Sequence, residues 1–217
     1  MGHSGRKTED VLRDLLTERD RLVKDYGRVE PTGEPFPWTS FFPGGAGVYR
    51  GENSQGGPLP EWFPEKPVMF VAHNFGDYAW YKNVKCADFR SLFWEAFWIY
   101  LKVLKIDRQD IFLTNALMGL KVGGGADGYM EGRGPKFNRQ CLDFFYRQVE
   151  IVDPRRVVVM GQEAACALYV FEPKDLVRHP RSFCRSSDRE ERIAKALGPL
   201  LRTQTEMGAG ASQPNLN

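Results

Sequence analysis

Three short stretches hold the side chains best suited to chemistry: His73-Asn74-Phe75-Gly76, Thr114-Asn115-Ala116 and His179-Pro180-Arg181-Ser182-Phe183. An amide such as that of Asn74 or Asn115 orients a water or reads a polar edge, but it is a poor general base. An imidazole such as that of His179 donates a hydrogen bond to an oxygen on which negative charge develops. Several commoner chemistries are excluded. The chain has no GxxxxGK[ST] phosphate loop, no GxSxG nucleophile elbow and no HExxH metal helix. Met160-Gly161-Gln162-Glu163-Ala164 has one glycine where a dinucleotide-binding turn requires three. Gly123-Gly124-Gly125 opens no obvious helix and is a weak phosphate signal. The 3 histidines, one of them His3 in the N-terminal tail, are too few for a multi-histidine metal site. Neither a metal nor a cofactor is expected.

The elements that must position these loops are legible from hydrophobic pattern. Val68-Met69-Phe70-Val71-Ala72, Ile111-Phe112-Leu113-Thr114-Asn115 and Val157-Val158-Val159-Met160 read as buried strands, with a weaker one near Leu176-Val177. Helices are expected from Asp88 or Phe89 to Leu104, from about Lys136 to Val152, from Gly161 to Tyr169 and over about 188–200. Strand and helix therefore alternate from Val68 onward, the pattern of a parallel sheet covered on both faces. Ligands of such sheets sit outside the carboxyl ends of the strands, where all three loops fall. Upstream, Val11, Leu12, Leu15, Leu16, Leu22 and Val23 recur at helical spacing, with Thr8 as the expected N-cap. Between about Gly27 and Pro67, prolines and glycines alternate with Trp38, Phe41, Phe42, Trp62 and Phe63. This segment reads as an ordered wrap packed on the core, with one short strand near Val48–Tyr49.

The chain's 217 residues suit one α/β domain rather than two. We divide it into a helix and aromatic wrap over 1–66, a motif-bearing core over 67–203 and a disordered tail over 204–217. The 30 Lys and Arg against 28 Asp and Glu leave a formal net charge of +2, so any polyanion must be met by local patches. Cys86, Cys141, Cys166 and Cys184 form no CxxC pair and read as reduced structural thiols. With no membrane span and no signal peptide visible, a soluble cytoplasmic monomer is expected.

The joint order of these motifs resembles the uracil-DNA glycosylase superfamily over roughly half the chain, from Pro67 to Phe183. That family carries a first motif of the form G-Q-D-P-Y or G-x-N-P-G, then T-N-A, then C…P…V-V-x-L-G-x-x-A, and last H-P-S-P-L or similar. Here these become Ala72-His73-Asn74-Phe75-Gly76, Thr114-Asn115-Ala116, Cys141…Pro154…Val158-Val159-Met160-Gly161-Gln162-Glu163-Ala164 and His179-Pro180-Arg181-Ser182-Phe183. The resemblance implies a three-layer α/β/α sandwich around a short, mainly parallel four-stranded sheet. It implies DNA repair by base excision: a damaged base, uracil first, is flipped out of DNA and its N-glycosidic bond hydrolysed without cofactor.

Carried across position by position, Asn74 falls on the residue that positions the attacking water, and His179 on the histidine that stabilises the leaving base. Asn115 falls at the strand-end asparagine that reads the uracil edge, and Phe183 where a wedge enters the duplex, although by its own residue type Phe183 equally reads as core. Base binding would also involve His73 and an aromatic platform, Phe75 or Phe89, with Tyr78, Trp80 and Tyr81 as further choices. Ala72, Phe75 and Arg181 depart from the family's glycine, proline and serine. Arg181 would meet a phosphate with a charge instead of a hydroxyl. Lys82, Lys85, Arg178, Arg181, Ser182 and Arg185 flank the loops and are the expected DNA-binding strip. The chain has no cysteine before Cys86, and no iron–sulfur cluster is expected. Two other classes fit the same residues. One is a glycosylase-like module that binds nucleic acid with weak or no catalysis; the other is an N-glycosidase of small nucleosides or nucleotides.

Overall fold

The computed structural model describes residues 5–26, 42–43, 61–73, 92–117, 134–168, 175–178, 180–183 and 188–198. Over these the chain is an α/β fold built on one five-stranded sheet. Its strands are β1 (Phe42–Pro43), β2 (Val68–Ala72), β3 (Ile111–Asn115), β4 (Arg156–Met160) and β5 (Asp175–Val177), in the spatial order β1-β3-β2-β4-β5. β2, β3, β4 and β5 are parallel, and the two-residue β1 runs antiparallel along the outer edge of β3. The helices are α1 (Thr8–Tyr26), α2 (Leu92–Leu104), α3 (Gly134–Val152), α4 (Gln162–Ala167) and α5 (189–198).

Alternation along the strands divides the core in two. Val68, Phe70, Ala72, Ile111, Leu113, Val158, Met160 and Val177 face α2 and α5, where they meet Phe97, Tyr100, Leu101, Ile193 and Leu197. Met69, Val71, Phe112 and Val159 face α1, α3 and α4, where they meet Val11, Leu15, Phe145 and Ala164. Every position of β2 and β3 is buried, as strands covered on both faces must be. The crossover through α2 lies on one face and the crossover through α3 on the other, and β3 and β4 join opposite edges of β2, so the strand order reverses between β2 and β4. That pair is the switch point of the sheet.

Local chemistry ends the helices where the sheet needs them to end. Asp153 takes a left-handed conformation (φ 46°), one that aspartate tolerates, and the following Pro154 cannot continue α3. Lys105 closes α2 in the same way (φ 54°), and the Ile106 N–H returns to the Leu101 carbonyl over 3.0 Å.

The parallel strands follow the hydrophobic runs within a residue or two, and α3, α4 and α5 lie within their expected bounds, give or take three residues. One expectation is corrected. Thr8 does not cap α1: its hydroxyl is buried without a hydrogen-bond partner, and the first helical N–H groups, of Asp10 and Val11, donate to the Lys7 carbonyl. Lys7 is held there by a bridge to Trp62, which fixes where the helix begins. From the aromatic segment, Phe63 is buried and meets Phe112 edge-on at 6.0 Å, as packing requires. The strand expected near Val48–Tyr49, the start of α2 at Asp88 or Phe89 and the tail over 204–217 lie outside the described residues.

Candidate functional site

The register of the parallel strands levels their carboxyl ends. Ala72 pairs with Asn115, Val71 with Val159, and Met160 with Val177. Across the resulting rim the order is Asn115, His73, Gly161, Arg178. Backbone bonds stitch it together: Ala116 N–H to the Ala72 carbonyl (2.7 Å), Leu117 N–H to that of His73 (2.9 Å) and Gly161 N–H to that of Val177 (2.8 Å). All three motif loops issue from this one rim. Asn74 directly follows His73, and His179 directly follows Arg178; both lie outside the described residues, as do Phe75, Phe89, Lys82, Lys85 and Arg185.

His73 sits at the middle of the rim, at the switch point. Its Nδ1 lies 3.6 Å from Glu163 Oε2, with the imidazole 21% exposed and the carboxylate 71% exposed. Glu163 reaches this position because Gly161 turns the chain straight from β4 into α4. Gly161 adopts φ 93° and ψ 153°, at the border of a region essentially closed to residues with a Cβ. The expectation placed His73 among base-binding groups; its partner Glu163 was not singled out. A carboxylate three residues past a strand end is the signal the sequence offers.

Asn115 is buried to 6% exposure and makes no side-chain hydrogen bond among the described residues. Strand alternation sets it on the α2 face, opposite Thr114, whose Oγ1 donates to Gln148 Oε1 of α3 over 2.6 Å. Asn115 thus shares a face with the segment on either side of residue 179. That segment is anchored by the Tyr100 hydroxyl, which donates to the Arg178 carbonyl. Burial pushes the Tyr100 phenol far above its ordinary range, against a smaller lowering by Arg178, so the hydroxyl keeps its proton and its role as donor. The Arg178 side chain and Ser182 are exposed. His73 and Asn115 share the rim but turn to opposite faces of the sheet.

Phe183 takes the core position that its residue type allowed, not the exposed one a wedge needs. It is 2% exposed, packs in the core on the α2 face with its ring 6.0 Å from that of Tyr100, and lies under the Arg192 guanidinium at 5.9 Å. The turn Pro180–Phe183 drives the ring inward against α2, and an aromatic buried there is unavailable to a duplex. Arg181 lies on this turn, its side chain outside the described residues. Of the thiols, Cys141 is buried and Cys166 exposed, neither in a disulfide, while Cys86 and Cys184 lie outside the described residues. Among the described residues no His, Cys, Asp and Glu side chains group in threes as metal ligands, and no helix is long and apolar enough to cross a membrane. No protein-family model matches the chain, and no curated protein matches it.

Proposed function

We propose that the protein is a DNA-repair N-glycosylase of the uracil-DNA glycosylase type, which takes an extruded base, uracil first, and hydrolyses its N-glycosidic bond. The observation that carries the reading is the descent of all three motif loops from one rim of a parallel sheet, around its switch point. The α/β architecture, with helices on both faces of the sheet, agrees with the three-layer sandwich of that superfamily.

In this reading Asn74 orients the attacking water and Asn115 reads the base edge from its buried position. His179 stabilises the negative charge that develops on the departing base. Phe75 or Phe89 supplies the stacking platform that an unstacked base needs. Arg178, Arg181 and Ser182, with Lys82, Lys85 and Arg185, hold phosphates. The burial of Phe183 favours one version of the reading. Without that wedge, extrusion from a duplex loses the group that would fill the vacated space, so single-stranded DNA is the better substrate.

The test is cleavage, after alkali, of labelled uracil-containing oligonucleotides in single- and double-stranded form. Alkali-labile product from the single strand, abolished in Asn74→Ala and His179→Ala, supports the enzyme. Tight binding without abasic product identifies a binding module instead. Base release from nucleosides alone identifies a small-molecule N-glycosidase.

A further inference from the structure

Hydrolysis of an N-glycosidic bond at an ordinary pH is helped by a group that accepts the water's proton, and the amide of Asn74 is poorly suited to that task. The residue before it is not. His73 stands at the switch point, one-fifth exposed, with a carboxylate 3.6 Å from its Nδ1. We propose that His73 and Glu163 form the acid–base dyad of this rim, His73 as the catalytic residue and Glu163 as the residue that positions it. The proposal rests on the N-glycosylase reading and deepens it.

Three observations support it. The pair bridges β2 and α4 across the switch point, where a sheet of this order places its ligand. Stability does not account for the contact, because an ion pair with one partner 71% exposed contributes little to folding. The conformation of Gly161, unfavourable to other residues, brings Glu163 to the rim. At 3.6 Å the Glu163 carboxylate acts on the ring through its charge and stabilises the imidazolium that proton uptake creates. Along the rim, the neighbours of His73 on β3 (Thr114, Asn115, Ala116) and β4 (Met160, Gly161, Gln162) are uncharged. Arg178 follows β5, two strands away, and Gln148 of α3 is neutral, whereas Glu163 of α4 brings a charge to the ring.

The step balances as follows. The water oxygen bonds to C1′ of the sugar as the C1′–N bond breaks, and the bonding pair leaves with the base. The water's proton passes to His73 Nε2, and the imidazolium later returns it to the departed base anion. The products are the abasic sugar and the neutral base.

The experiment uses the full-length chain in two measurements. The first is single-turnover cleavage of a uracil-containing single strand across pH, by wild type, His73→Gln, Glu163→Gln and Glu163→Asp. The second is NMR titration of the His73 ring protons, assigned by their loss in His73→Gln. At saturating DNA, His73→Gln should lower the rate by roughly 100-fold and remove the acidic limb of the pH profile. Glu163→Gln should slow cleavage roughly three- to tenfold and move both that limb and the ring titration to lower pH, by about half a unit or more. Glu163→Asp should recover part of both effects. The exposed Glu163 variants keep the test intact even where His73→Gln folds poorly. A ring titration unmoved by Glu163→Gln overturns the dyad, and so does a His73→Gln rate close to wild type. A shifted titration with no cleavage by wild type overturns the glycosylase reading instead, and the catalytic role with it.

Discussion

Thr114 and Gln148 are both fully buried, and their single hydrogen bond leaves the Gln148 Nε2 group without a partner. Such a pair stabilises the fold less by the bond it makes than by the cost of breaking it. Thr114→Val keeps the shape and removes the donor, leaving the whole Gln148 amide unsatisfied. We expect a loss of about 1–3 kcal/mol in urea unfolding. Adding Gln148→Leu should recover most of it, giving a coupling of about 1 kcal/mol or more in the double-mutant cycle. Additive losses would mean that the two side chains do not share their desolvation. At this scale the sequence was partly legible. Asn115 and His73 stood out by type and position, whereas Glu163 and Gln148 drew no notice. Their significance lies in partners 90 and 34 residues away along the chain, which periodicity does not reveal. Phe183 suits a wedge or a core position by sequence for a related reason: a motif gives the order of residues, but the turn at Pro180–Phe183 decides which of them face inward.

Elements carry the candidate loops to the rim, and α2 does so through a single hydroxyl. Tyr100 sits on the apolar face of α2, where spacing alone reads it as one more core residue. A buried tyrosine needs a partner for its hydroxyl, and here that partner is the Arg178 carbonyl at the exit of β5. The phenol titrates far higher in the folded chain than in the unfolded one, where it titrates near 10. The folded state therefore retains a proton that the unfolded state has lost. This contribution to stability is complete below about pH 10 and declines as pH rises above it. Tyr100→Phe should lower stability at neutral pH by about 1–2 kcal/mol and flatten the fall in stability between about pH 10 and 11. Melting curves across that interval measure both effects; an unchanged slope would show that the phenol ionises in the folded state. The parallel strands were legible to within a residue because their apolar runs stand out, most of all in β2 and β3, which are buried on both faces, whereas the two-residue edge strand β1 was not. The cap of α1 was not, because the bridge between Lys7 and Trp62 sets it from outside the helix.

Over the whole molecule, charge is nearly balanced, and a formal +2 gives no long-range field to draw DNA in. In the proposed reading, binding would come from the strip beside the rim, where Arg178 and Ser182 have exposed side chains. With about three or four phosphates neutralised, log affinity for a single strand should fall with log salt at a slope of about −2 to −3. Fluorescence anisotropy from low to moderate salt measures it, and a slope steeper than about −5 would point to a larger, undetected basic surface. The fold class was legible at this scale because strand and helix alternate, but the strand order was not. It depends on which edge of β2 each later strand joins, and that choice is made by packing on α2 and α3.

That same order has a consequence for the chain as it is made. β2 is the central parallel strand, yet its second neighbour, β4, begins only about 90 residues later. At ordinary rates of synthesis the ribosome takes roughly 4–18 s to cover that distance. During this interval Val68–Ala72 has one hydrogen-bonding edge without its native partner, and all five of its side chains are apolar. The nascent protein is most vulnerable to self-association in that window, before its switch point exists.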